Sequence, residues 1–213
     1  MISYTLNVDS ITKTFGRRLI FKNVSLNCEQ LGIWGIAGPN GSGKSTFVKC
    51  LCGIISPSSG KITHTLNGRE IESEELHNHI GFVSPYLVLY DEFTAEENLK
   101  FFAEIRGVKY NQAKIDYLLN EFLLFDRKKD FVKAYSSGMK QRLKFLFALM
   151  HSPALVILDE PISNLDNSGK EKVYKIIGEE AKKSIIIIAS NDDSDLALCS
   201  SVLELTNYKS EQF

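Results

Sequence analysis

Three features of the sequence predict an α/β fold with a helical insertion. A strand runs through a glycine-rich loop into a helix across residues 33–54; two apolar strands at 154–158 and 184–189 flank a helical stretch; and the segment preceding those two strands, 85–152, patterns as helix. Strands alternating with crossover helices imply a parallel sheet.

Along the chain, Tyr4–Val8 and Leu19–Leu26 alternate polar and apolar residues around a Phe15–Arg18 turn, predicting a β-rich opening section. Ile33–Ala37 is the next strand. Beyond the glycine-rich loop, Phe47, Val48, Leu51 and Ile54 recur at helical spacing, predicting a helix over Lys44–Ile54. Pro57–Gly60 breaks the chain before strands at Lys61–Thr65 and Ile80–Val83, with a turn at Asn67-Gly68. Thr94-Ala95-Glu96-Glu97 has capping-box spacing and opens a helix to about Arg106, followed by helices over Gln112–Phe125 and Gly138–Met150. Ala154–Leu158, a helix over Lys170–Ala181 and Ser184–Ala189 complete the pattern. The expected organisation is one unit, 1–213, in which 1–84 and 153–213 form the core with its β subdomain and 85–152 a helical subdomain.

Composition narrows the function. A formal net charge of −1 leaves no basic excess to draw in nucleic acid. Cys28, Cys50, Cys52 and Cys199 show neither metal-site spacing nor disulfide density, so reduced, largely buried thiols are expected. Met1–Asp9 lacks a basic head or long apolar stretch, and Ala154–Leu158 and Ile185–Ala189 fall far short of the roughly 20 residues of a spanning helix. A cytosolic chain is expected, with any membrane contact indirect.

Gly38-Pro39-Asn40-Gly41-Ser42-Gly43-Lys44-Ser45 fits G-x-x-x-x-G-K-[ST], with a strand before it and a helix after, as the phosphate-binding loop of P-loop NTPases requires. Glycines let successive N–H groups point at phosphate oxygens, and the helix N-terminus adds partial positive charge. Lys44 would reach the β and γ phosphates of ATP, Thr46 would continue the cradle, and Ser45 would take a Mg²⁺ position. Leu155–Leu158 ends in Asp159-Glu160, delivering both carboxylates to the strand edge where α/β sheets place ligands. An Asp-Glu pair after a strand is by itself most often a solvated turn; downstream of Lys44 it becomes a metal carboxylate, Asp159, and a residue that orients or deprotonates the attacking water, Glu160.

Tyr135-Ser136-Ser137-Gly138-Met139-Lys140-Gln141-Arg142 precedes the acidic pair, and here the sequence resembles the ATP-binding cassette family. The segment is similar to that family's signature, Ser163-Asn164-Leu165-Asp166 to its D-loop, and Phe15 to the aromatic that stacks on adenine. The resemblance implies a P-loop core with an antiparallel β subdomain and an inserted helical subdomain. It also implies a homodimer or cassette pair, each ATP lying between one protomer's 38–46 loop and the other's Ser136, Ser137, Gly138 and Met139. A transmembrane permease would be driven from the inner face of the membrane. Read without the resemblance, Ser136-Ser137 simply caps a helix, and both roles can coexist.

The chain departs from that family at several positions. Pro85 stands where a glutamine usually follows the Ile80–Val83 strand, and Asn191 where a histidine follows Ile185–Ala189; Asn191 can donate a hydrogen bond but carries no charge. Ser137 and Met139 replace a usual glycine and glutamine, and Ser137 resists any positive φ. Slow hydrolysis is the expectation. His64, His77, His79 and His151 read as surface or structural residues, and Tyr86–Tyr90 as an apolar stretch that lines a permease groove or joins the core. An ATP-hydrolysing transport subunit is expected, with exporter type favoured by the short chain. The alternatives are a nucleotide-gated interaction module, a soluble remodelling cassette and, least of all, a small-molecule kinase, which gives no reason for the signature.

Overall fold

The computed structural model describes residues 3–209, so both ends of the expected 1–213 unit lie outside the described residues. Strands are β1 (Tyr4–Phe15), β2 (Arg18–Cys28), β3 (Gly32–Ala37), β4 (Ser59–Leu66), β5 (Arg69–Glu70), β6 (Ile80–Val83), β7 (Leu155–Asp159), β8 (Ile185–Ser190) and β9 (Ser201–Glu204). Helices are α1 (Lys44–Leu51), α2 (Leu76–His79), α3 (Ala95–Arg106), α4 (Gln112–Glu121), α5 (Ser137–Leu149), α6 (Asn167–Glu180) and α7 (Asp193–Leu196). An antiparallel sheet of order β2-β1-β4-β5 and a parallel sheet of order β6-β7-β8-β3-β9 form the two β layers. One core packs the antiparallel sheet and α1 against the parallel sheet, with Leu6, Phe21, Phe47 and Ile187 wholly buried. A second joins α3, α4, α5 and α6 to the other sheet face through Leu99, Leu119, Phe145 and Ile188. β7 and β8 are therefore buried along their whole length, which is why they read as unbroken apolar runs.

The opening strands are longer than their alternation predicts. β1 continues past Val8 through a bulge at Ser10, whose φ is +47°, and the pairing with β2 shifts register between Val8 and Ile11. The extra residue breaks the period-two pattern without ending the strand. Two helices are shorter than predicted. α1 stops at Leu51, where Gly53 takes φ +70° and Ile54 N–H donates to Lys49 O (3.0 Å), leaving Ile54 exposed. α4 stops at Glu121 by the same six-to-one closure, Leu124 N–H to Leu119 O (2.7 Å), with Leu123 at φ +55° in the position glycine usually takes. The capping box at α3 forms as its spacing predicts: Glu97 N–H donates to Thr94 Oγ1 (3.2 Å) and Thr94 N–H to Glu97 Oε2 (2.8 Å).

Of the thiols, Cys28 and Cys50 are buried and Cys52 and Cys199 half-buried, all free. Among the described residues no helix is long and apolar enough to cross a membrane.

At Gly81 a Cβ would lie 2.2 Å from Ala148 O, because β6 lies directly under α5. Gly81→Ala therefore destabilises by about 1–3 kcal/mol, whereas Gly178→Ala on α6, with open space around it, is stabilising by about 0.5–1 kcal/mol; urea denaturation of both variants measures the contrast. His64 is buried with Nδ1 2.7 Å from Tyr4 OH, and burial pushes its pKa down to about 4. Burial, then the Arg106 guanidinium, lowers His151 to about 3. Both favour the neutral ring in the fold, so stability falls as pH drops below the unfolded value of about 6.5 and keeps falling to their folded values. By NMR, the imidazole resonances of His64 and His151 keep their neutral-form shifts at pH 5.

Candidate active site

The register of the parallel sheet assembles the site. Asp159 pairs with Ala189 across β7 and β8, and Ala37 with Ser190 across β3 and β8, so three chain segments leave one sheet edge together. β3 delivers the 38–43 loop, β7 the acidic pair and β8 the Ser190-Asn191 turn. The loop closes tightly, Ser42 N–H donating to Pro39 O (3.0 Å). At Gly43, φ is +107° and a Cβ would sit 2.7 Å from Ile20 Cγ2, so only glycine lets β2 support the loop this closely. α1 then starts at Lys44, its first N–H groups free to face an anion.

Lys44 is 5% exposed. Its Nζ donates to Gly38 O (2.7 Å) and Pro39 O (3.4 Å) and pairs with Glu160 Oε1 at 3.2 Å. Glu160 takes φ +51°, an uncommon conformation for a non-glycine residue, and its N–H donates to Ala189 O (2.9 Å). The buried Ser190 hydroxyl stands 3.5 Å from its other oxygen. Asp159 is wholly buried, and no hydrogen bond of good geometry reaches either oxygen among the described residues. Burial raises its carboxyl above the ordinary value, the Ser45 hydroxyl offsets part of this, Glu160 adds to it and Lys44 opposes it. A buried carboxylate with both oxygens free, beside a hydroxyl and a strand edge, fits a divalent cation held directly or through water.

Phe15, Asn40, Gly41, Gly43, Lys44, Ser45, Thr46, Pro85 and Glu160 line one open cleft of about 570 Å³, with Gly38, Pro39 and Ser42 building the loop behind it. Tyr86 lines it too, which sequence reading missed by assigning residues 86–90 to a single strip; Leu89 from that strip is buried in the core. Asn191 is exposed in the turn after β8 and is not among the cleft-lining residues. Ser136, Ser137, Gly138 and Met139 also lie outside the cleft. Ser136 caps α5, its Oγ accepting from Met139 N–H (3.2 Å), and with Ser137 it is solvent-exposed. Ser137 is the first helical residue and needs no positive φ, so that expected strain is absent. The Asp166 side chain caps α6 by accepting from Gly169 N–H (2.8 Å). Gln141, Lys144 and Ser190 were also missed, because each acts through contacts distant in sequence.

Glycine loop, buried lysine and paired carboxylates at the carboxyl edge of a parallel sheet define a P-loop nucleotide site. The profile of the ABC transporter family matches residues 21–163, and the chain belongs to that family. It is 36% identical over 186 residues to the lantibiotic transport ATP-binding protein SrtF of Streptococcus pyogenes, covering 87% of this chain and 79% of SrtF. It is 34% identical over 189 residues to the uncharacterized ABC transporter ATP-binding protein YcbN of Bacillus subtilis (strain 168), covering 87% of this chain; the match spans 61% of YcbN's length. A solved structure from Pyrococcus furiosus, described as an ABC transporter ATP-binding protein, superposes with a TM-score of 0.83 at 26% identity, covering 97% of this chain and all of that one.

Asp159→Asn removes a charge that burial disfavours and that the Ser45 hydroxyl and Lys44 only partly offset. The nucleotide-free protein then gains stability, on the order of 1 kcal/mol, while the Mg²⁺-dependent part of ATP affinity disappears. Urea denaturation and calorimetry with and without Mg²⁺ measure the two effects.

Proposed function

We propose that this chain is the ATP-binding and ATP-hydrolysing subunit of an ABC transporter, pairing head to tail with a second cassette and powering a separate membrane permease. The observation that carries the reading is the Lys44–Glu160 contact at the edge where the phosphate loop and acidic pair meet. In it, the 38–46 amides and Lys44 bind the triphosphate, Ser45 and Asp159 hold Mg²⁺, and Phe15 stacks on the base. Mg²⁺, when bound, neutralises charge on the β and γ phosphates. Glu160, released from Lys44 as phosphate oxygens replace it, accepts a hydrogen bond from the attacking water and takes its proton. Exposure of Ser136 at the N-terminus of α5 supports a second role beyond capping, binding the γ phosphate of a partner's ATP.

Residues 85–152 act as the helical subdomain that meets the permease. Supporting this, exposed Tyr90 packs on Phe93 and Phe101, with ring centroids 5.4 and 5.2 Å apart, an aromatic cluster offered to solvent. The chain works at the inner face of the membrane, held there by its partner. SrtF's description as a lantibiotic transport protein supports coupling to transport, and an exporter is favoured.

Pro85 and exposed Asn191 favour slow turnover, and keep a second reading open in which ATP gates association with little hydrolysis. Glu160→Gln separates the two: Mg·ATP affinity stays within about threefold while phosphate release falls at least about a hundredfold, and transport in cells stops. Transport that survives Glu160→Gln favours the gating reading. Pro85→Gln combined with Asn191→His speeds phosphate release; a rate that only falls contradicts the account of slow turnover.

A further inference from the structure

Lys144 lies two turns along α5 from the Ser136 cap. Its Nζ donates to Pro85 O at 2.8 Å and to Ser84 O at 3.3 Å. Those carbonyls belong to the turn that follows β6, closed by Leu87 N–H to Ser84 O (3.1 Å) and Tyr86 N–H to Ser84 Oγ (3.2 Å). Among the described residues Lys144 forms no salt bridge, whereas Lys140 one turn before it pairs with Asp91 at 2.7 Å. A half-buried ammonium without a carboxylate needs other acceptors, and charge-assisted bonds to carbonyls are stronger than neutral ones. Gln141, on the same helix face, donates from Nε2 to Pro161 O (3.0 Å), just past Glu160. One face of α5 thus grips both loops that leave the edge of β6 and β7. Beyond the first grip, Tyr86 lines the nucleotide cleft and Lys49 of α1 sits 5.0 Å from its ring centroid.

We propose that Lys144 is a positioning residue that couples the nucleotide cleft to the Ser136 end of α5, by holding the Ser84 and Pro85 carbonyls and so fixing the Tyr86 wall of the cleft. Proline offers no side-chain donor or acceptor, but its carbonyl remains, and Lys144 uses that one polar group. The link therefore runs from side chain to main chain at a place where Pro85 itself can supply no side-chain contact. The inference rests on the reading that the cleft takes ATP.

Hydrogen–deuterium exchange on the full chain, with and without the non-hydrolysable analogue Mg·AMP-PNP, tests it alongside Lys144→Met and Lys144→Arg. Lys144→Met makes the amides of residues 86–88 exchange at least about tenfold faster without nucleotide, from loss of the charge-assisted bonds. With nucleotide, its 38–46 loop is protected as in the unaltered protein, but protection at 136–140 is lost. Lys144→Arg restores both, and the melting temperature of Lys144→Met stays within a few degrees, setting the effect apart from general unfolding. Unchanged exchange at 86–88, or undiminished protection at 136–140, in Lys144→Met overturns the proposal. If the unaltered protein shows no protection of its own 38–46 loop, the nucleotide reading fails first and the coupling falls with it; a Lys44→Ala control identifies that case.

Discussion

A lysine ammonium sealed inside a loop of backbone is the constraint from which the site follows. Lys44 has almost no contact with water, and burying an isolated charge costs far more than a small domain can spare. The fold meets this with the Gly38 carbonyl and the Glu160 carboxylate, which arrive from two different strands. Both partners are in reach because β3, β8 and β7 lie side by side and in register, so their ends open onto one edge. A phosphate chain offers the same ammonium stronger and more numerous acceptors. Under the proposed function, the Lys44–Glu160 contact is therefore the one a bound triphosphate would displace, and that displacement would free the carboxylate for the attacking water.

Cost is concentrated around that contact. Glu160 holds a backbone conformation that L residues avoid, at about 1–3 kcal/mol. Asp159 keeps two buried oxygens without good hydrogen bonds. Neither feature helps the chain to fold, and both suit a site completed by a cation and a triphosphate. The sheet core supports them: Leu155, Ile157, Ile185, Ile187 and Ile188 are wholly buried around strands whose ends carry the strained residues. Rigid strands position the chemistry, while the helical layer, attached through Gln141 and Lys144, touches it only by way of loops.

Much of this was legible in the sequence where the chemistry is local. Glycine spacing before Lys44 is itself the cradle, and an apolar run ending in two carboxylates states both the strand and its delivery. Thr94 and Glu97 signal their own helix start because the capping box is a contact three residues apart. What escaped reading depends on partners far along the chain or on unusual backbone angles. The Ser10 bulge hid half of β1 by shifting the side-chain period, and both α1 and α4 were read past closures made by left-handed residues, Gly53 in the first and Leu123, without a glycine, in the second. β9 is a short strand with little apolar pattern, admitted to the sheet by pairing with β3. Tyr86 read as part of an apolar stretch that lines a permease groove or joins the core, and only the turn after β6 brings it to the cleft. Lys144 carried no signal at all, since its partners are main-chain carbonyls about sixty residues away.

Calorimetry of Mg·ATP binding to the unaltered protein and to Lys44→Ala bears most directly on the central claim that backbone amides and one buried ammonium hold the triphosphate. The account predicts saturable binding by the former and a loss of at least about a hundredfold in the latter, as expected for removing a buried charge-assisted contact. Absence of saturable binding, or equal affinity in both proteins, would contradict it.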